Sequence, residues 1–411
     1  MPHCRQDDGG LSPSAALDLV IVGGGPAGMM AGLLFARAGV RTTVIEKHAD
    51  FLRDFRGDTV HPSTLDIIND LGLLDAFLEL PHDKVTDVSA VIGGRTWQIA
   101  DFSHLPGRAR FIAMMPQWHF LDFLAREARR YPGFALRMSA EAAGLIEEDG
   151  RVVGVRLADG EAVRARLTIA ADGRGSRLRT AAGLPLEDLG APIDVFWFRV
   201  PKAPSVDNQT RGFLARGEMI VTIDRGDYFQ CARVIAKAGA DVVRARGLDA
   251  FRRDVVRAAP VLTDEIAALA DWNEVKLLSV SLDRLQQWHR PGLLAIGDAA
   301  HAMSPVGGVG INLAVQDAVA AANILAAPLA AGQDIDALLA AVQRRRMLPV
   351  RVVQGIQAAI HRRVLGPALA GQVGEAPWPV RMLDRLPLLQ RIPARILGLG
   401  LRREHVRSPE A

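Results

Sequence analysis

Three glycines are spaced Gly23-x-Gly25-x-x-Gly28 in the stretch GGGPAG, and a glutamate, Glu46, follows downstream. That spacing suits a dinucleotide. The first glycine permits a tight turn, the second lets backbone approach a pyrophosphate, and the third allows a helix to pack closely on a strand. Pro26 and Ala27 open the helix whose free amides would hold the phosphates. Glu46, followed by Lys47, stands where a carboxylate meets the adenosine ribose hydroxyls and would repel a 2′-phosphate. The resident nucleotide is therefore expected to be FAD or NAD rather than NADP.

A second glycine-rich stretch, GLLAIGDAAHAMSPVGGVGINLAVQDAVAAANIL, runs from Gly292 to Leu325. Glycines at that density cost backbone entropy, so something must use the space they leave. Asp298 would stand at the carboxyl end of a strand, where ligands bind in open α/β sheets, and its carboxylate can accept from a sugar-alcohol chain. Gly307, Gly308 and Gly310 would let amides approach a planar ring, while a helix starting near Ile311 aims its positive end at it. Reduced flavin carries negative charge near N1. A simple NAD enzyme would leave this segment without a task.

The elements that must position these groups follow from pattern. Asp18 to Val22 and Arg41 to Lys47 read as strands around a helix from Pro26 to about Ala38. Pro62 and Ser63 start another helix, preceded by Arg53, Arg56, Asp58 and His61, and a further helix runs from about Gln117 to Arg129. RVVGVRLADG and EAVRARLTIAADG form a hairpin leading to Asp172 and Gly173, then to a short helix containing Arg179. From Ile193 to Ile235 short strands predict an antiparallel sheet that could roof a cofactor, with Phe196, Phe198, Phe213, Tyr228 and Gln230 as pocket candidates. Helix is expected over Asp241 to Ala270 and over Asp334 to Arg362, the latter interrupted near Pro349. His301, three residues past Asp298, is expected to brace its loop or move a proton.

Composition narrows the function class. The 411 residues carry 49 Lys and Arg against 46 Asp and Glu, a near balance that gives no case for a nucleic-acid partner. Two cysteines, Cys4 and Cys231, exclude a disulfide framework, a C-x-x-C redox pair and a cysteine-rich metal site, and fit a reducing, cytoplasmic setting. Residues 1–16 read as a disordered leader without a signal-peptide core, and no unbroken apolar run suggests a spanning helix. The ending RMLDRLPLLQRIPARILGLGLRREHV is amphipathic and could close a pocket, seal a homodimer or touch a membrane surface.

GGGPAG with Glu46, then ADGRGSRLR, then GDAAHAMSPVGGVGINLAVQDA, in that order, resemble the FAD-dependent aromatic hydroxylases of the para-hydroxybenzoate hydroxylase fold over about Asp18 to Leu325. The resemblance implies an α/β protein: a Rossmann-like FAD-binding domain (17–85, 111–190 and 286–330) interleaved with an antiparallel-sheet substrate domain (86–110 and 191–285), then C-terminal helices over 331–411. It implies that Asp172 and Gly173 serve FAD and a visiting NADPH or NADH, that Asp298 contacts the ribityl chain, and that Pro305 and Gly307 to Asn312, including Val309, lie against the isoalloxazine. Arg56 matches an arginine that contacts FAD, and Gln117 takes a position where relatives usually carry arginine. The implied activity is that of a single-component monooxygenase. NAD(P)H would reduce FAD, O2 would add at flavin C4a, and the hydroperoxide would hydroxylate an electron-rich aromatic or quinone-like molecule. No metal is expected, and His61 or Tyr228 could act as a base on a phenolic substrate. An FAD-dependent dehydrogenase or reductase working by hydride transfer is the alternative.

Overall fold

The computed structural model describes residues 17–52, 58–202, 210–215, 217–372 and 376–411. Arg53 and Arg56 lie outside the described residues, as does the leader. The first strand, Leu17–Val22, is apolar along its length, with Leu19, Val20 and Ile21 fully buried. Continuous burial marks a parallel strand covered on both faces. It pairs in parallel with Thr42–Ile45 on one side and Ala162–Ala170 on the other, and Ala162–Ala170 pairs in parallel with Leu293–Ala295. Phe134–Arg137 extends the sheet beyond Thr42–Ile45, and the hairpin strands Ala142–Glu148 and Arg151–Leu157 branch from Ala162–Ala170.

Register has a direct consequence for function. Val22 aligns with Ile45 and with Ala170, and Ala170 aligns with Ala295. The residues that follow these four strand ends, Gly23, Glu46, Asp172 and Asp298, are thereby delivered to one edge of one sheet. The helices Pro26–Arg37 and Gly310–Ala330 start from that edge and pack on each other. The stretch Val306–Ala330 is long and apolar enough to cross a membrane by composition, but 72% of its most apolar window is buried inside the protein.

The second sheet has seven strands among the described residues. Their order is Lys276–Ser279, Ile193–Pro201, Tyr228–Ala236, Glu218–Asp224, Arg211–Ala215, Asp87–Ile92 and Arg95–Asp101. Its two faces have different partners because strand side chains alternate. Phe196 and Phe198 point to one face with Phe213, Phe229 and Cys231, where Phe251 of the helix Leu248–Ala258 packs edge-on against both Phe196 and Phe198. Trp197, Val221 and Ile223 point the other way, toward Met114 and the C-terminal residues Ala394, Leu397 and Leu399. Phe196, Phe198 and Phe213 are therefore core residues on the far side of the sheet, not pocket residues; Tyr228 and Gln230 share the parity of Trp197.

Two helix expectations change. The segment after the second sheet is broken into Ala240–Ala245 and Leu248–Ala258, with only short 3-10 turns as far as Ala268, since Gly247 takes φ 82° and Pro260 follows. Asp336–Ile360, by contrast, runs unbroken through Pro349 and continues as a π-helical turn over His361–Leu365. A proline inside a helix costs about 3 kcal/mol. Here Arg346 on one side and Gln354 and Gln357 on the other are buried and bonded to the core, and that tertiary packing holds the helix together.

Candidate cofactor and substrate site

At the shared sheet edge the first glycine is required by its surroundings. Gly23 has φ 107°, and a Cβ there would sit 2.3 Å from the Ala171 carbonyl oxygen. Gly25, at the N-cap of Pro26–Arg37, faces open space among the described residues, which leaves its backbone accessible where a pyrophosphate would lie. Glu46 is buried; its Oε2 accepts from the Gly24 amide at 2.8 Å and its Oε1 from the His48 amide at 3.0 Å. This fixes the carboxylate beside the glycine turn, while Lys47 is exposed. Asp172 accepts from the Leu178 amide through Oδ2, and its buried Oδ1 has no partner among the described residues. An open glycine cradle and an orphaned carboxylate oxygen fit a bound FAD.

Asp298 sits in the turn Gly297–Ala299 at the end of its strand, with a third of its side chain exposed. Arg174 donates to it through Nε at 3.1 Å and to the Met303 carbonyl at 3.3 Å. Buried Arg179 donates to the carbonyls of Asp298, Ala299 and Arg174. The ADGRGSRLR segment is thus tied to the Asp298 turn by two arginines whose partners lie more than a hundred residues away, a connection no local pattern reveals. Beneath the turn, His301 Nε2 meets Asp317 Oδ2 at 2.5 Å, and Asp317 also accepts from the Gly297 amide and from Arg346 Nε. All three side chains are buried, so His301 braces the loop. The neighbouring charges of His301 and Arg346 hold the Asp317 carboxyl below its usual range against the opposing effect of burial.

The stretch from Ser304 to Asn312 is held from three sides. Gln357 accepts from the Ser304 amide and donates to the carbonyls of Ser304 and Val306, and His361 pairs with the Ser304 hydroxyl at 2.9 Å. The space beside Gly307 is occupied by Leu397, 3.1 Å from where a Cβ would stand, and that beside Gly308 by Thr59, whose hydroxyl donates to the Gly308 carbonyl at 2.7 Å. Gly310 keeps an open flank: the nearest atom to a Cβ there is 4.0 Å away. Asn312 accepts from the His61 amide and the Thr64 hydroxyl, which locks the start of Gly310–Ala330 to the early helix Pro62–Asp70. Pro305 opens the turn, and Val309 and Ile311 are buried against the core.

His61 is fully buried, its Nδ1 bonded to the Leu397 carbonyl at 2.8 Å and its Nε2 without a partner among the described residues. Burial brings its pKa down from 6.5 to about 4. A group titrating there is a weak base at neutral pH, so its geometry suits holding the C-terminal segment over Gly307. Tyr228 is half-buried, with the Arg199 guanidinium 5.3 Å from its ring centre. Next to it, Arg225 pairs with Asp58 at 2.5 Å and donates from Nε to Gln230 at 3.3 Å. Desolvation pushes the Asp58 carboxyl up despite these partners. Gln117 begins its helix, half-buried. Sequence reading missed Arg174, Arg225, Gln357 and His361 as site residues; only Arg174, within ADGRGSRLR, carried a local signal.

Residues 16–355 match a family model described as an FAD binding domain. The chain is 32% identical over 390 residues to 6-methylpretetramide 4-monooxygenase of Streptomyces rimosus, covering 93% of this chain and 92% of that protein. It is 28% identical to rifampicin monooxygenase of Streptomyces venezuelae over 73% of this chain and 62% of that one. Among solved structures, PqsL of Pseudomonas aeruginosa, described as a probable FAD-dependent monooxygenase, superposes with a TM-score of 0.75 at 21% identity, over 90% of this chain and all of that one. At that identity the likeness speaks for the fold. A family match running from the first strand into the long C-terminal helix, with a monooxygenase aligned along nearly its whole length, establishes that this chain belongs to the FAD-dependent aromatic hydroxylase family.

Proposed function

We propose that the protein is a single-component monooxygenase that takes electrons from NADPH or NADH and one oxygen atom from O2 to hydroxylate an electron-rich, multi-ring phenol or quinone-like molecule. The observation that carries this reading is that Gly23, Glu46, Asp172 and Asp298 follow strand ends on one sheet edge, while the second sheet turns Trp197, Val221 and Ile223 toward Leu397, which flanks Gly307. Bound FAD supplies electron acceptance from the nicotinamide and oxygen activation at its C4a position. The chain's own residues bind, orient and shield. The Gly23 to Gly28 turn and Glu46 would hold the nucleotide half, Asp298 and Asp172 would meet the polar chain between nucleotide and ring, and backbone of the Pro305 to Asn312 stretch would face the ring. Gln357 keeps two carbonyls of that loop occupied, which fixes its shape.

The substrate side is apolar with one polar end. Trp197, Val221, Ile223 and Leu397 exclude water, and Tyr228, Gln230 and the Asp58–Arg225 pair offer hydrogen bonds to a ring oxygen. The S. rimosus relative named for 6-methylpretetramide supports a polycyclic acceptor. NADH and NADPH oxidation by FAD-loaded protein, with and without a panel of anthraquinones and naphthols, tests the proposal. Acceptor-stimulated oxidation that needs O2 is expected; oxidation that proceeds as well with an artificial electron acceptor under argon, with no hydroxylated product, would identify a dehydrogenase.

A further inference from the structure

The C-terminal segment presents two faces. One is built into the protein: Ala394, Leu397 and Leu399 pack with Phe102, Leu105 and Met114, and Leu397 covers Gly307. The other is apolar and, among the described residues, uncovered. Along the helix Trp378–Arg385, Trp378 and Met382 lie four residues apart on one side. Leu386 just past its end, Leu388 in the following 3-10 turn and Ile392 in the helix Arg391–Gly398 are exposed as well. Trp378 is 66% exposed, Leu386 53%, Leu388 69% and Ile392 57%. Five large apolar side chains exposed within fifteen residues are a patch that water does not favour.

The charges around this patch choose its partner. Arg385 and Arg395 are exposed in the same span as Arg381 and Arg391, Arg391 acts electrostatically on Asp101, and the one acid of the span, Asp384, is paired with Arg95 at 2.7 Å. A second copy meeting this surface across a two-fold axis would bring the arginines of both chains together. An anionic surface would not. Short helices with a tryptophan and leucines on one side and arginines on the flanks match the composition of segments lying in the headgroup layer of a bilayer. We propose that residues 378–395 form a docking surface for an anionic lipid bilayer, which sets the Leu397 side of the site against the membrane. The further idea that this delivers a lipophilic acceptor rests on the monooxygenase reading; the docking itself does not.

The test uses full-length, FAD-loaded protein and extruded vesicles of phosphatidylcholine alone or with 30% phosphatidylglycerol. Co-sedimentation with the anionic vesicles, its loss in high salt, and a blue shift in Trp378 emission absent from Trp378→Phe are expected. Arg385→Gln/Arg395→Gln should bind about thirtyfold more weakly through the loss of two charges, and Leu388→Ser/Ile392→Ser should lose binding with FAD content unchanged. Equal soluble fractions with and without anionic vesicles would overturn the proposal. So would a dimer in sedimentation velocity that Leu388→Ser/Ile392→Ser converts to monomer, since that would make the patch a subunit seam. Neither result depends on turnover, so failure of docking and failure of the monooxygenase reading are distinguishable.

Discussion

Single side chains at this site do work that their type alone does not announce. Glu46 accepts from the Gly24 amide beside the glycine turn, and on the proposed reading it would also meet the ribose of a bound nucleotide. Hydrogen bonds to a charged acceptor contribute about 1.5–3 kcal/mol each, so Glu46→Gln is expected to weaken FAD binding roughly tenfold or more in a flavin-fluorescence titration; an unchanged affinity would remove Glu46 from the binding site. His61 makes a pH prediction. Its folded pKa is about 4 against 6.5 for an ordinary imidazole, so between those values the unfolded chain binds a proton that the folded chain refuses. The associated stability is complete above pH 6.5 and lost as pH falls toward 4, by about 3 kcal/mol in total. Urea midpoints measured from pH 7 to 4 should fall more steeply in the wild type than in His61→Gln, and parallel curves would show that His61 does not titrate in this way.

At the scale of elements, legibility followed locality. The Gly23 turn, the helix opened by Pro26, and the hairpin leading to Asp172 each depend on neighbours in sequence, and each could be read from spacing. The helix through Pro349 could not, because what stabilises it is contact with residues far along the chain. Strand parity shows the same division: alternation was readable, but which face met the cofactor loop was decided by where the helix Leu248–Ala258 docks. The brace under the Asp298 turn is the sharpest case. His301, Asp317 and Arg346 span 46 positions, and the Arg346 side chain also lies 3.5 Å from Glu404. Removing one member of such a buried set leaves the others uncompensated, at a cost of about 3–5 kcal/mol. Asp317→Ala should therefore unfold at markedly lower urea and release FAD, whereas a loss below about 1 kcal/mol would show that the brace is not structural.

Across the whole molecule, two sheets with different construction rules divide the labour. The parallel sheet brings dispersed sequence segments to one edge, which is where open α/β folds bind ligands; the largely antiparallel sheet packs one face on the helix Leu248–Ala258 and turns the other toward Met114 and the C-terminal residues. The three separated motifs were legible because each has its own local spacing, whereas the sorting of Trp197, Val221 and Ile223 from Phe196 and Phe198 was not, since these are ordinary strand positions sorted only by packing. FAD bridges segments from Gly23 to Asn312 in this account, so its loss should loosen the sheet edge rather than one loop. The claim at the centre is oxygen transfer to an aromatic ring. The measurement that tests it most directly is mass spectrometry of the product formed by FAD-loaded protein with NADPH and a polycyclic phenol under 18O2, paired with a reaction in H218O under ordinary O2. One labelled oxygen atom per product from 18O2 and none from water is predicted; a product labelled from water, or oxidised by loss of two hydrogens without gaining oxygen, would contradict the account.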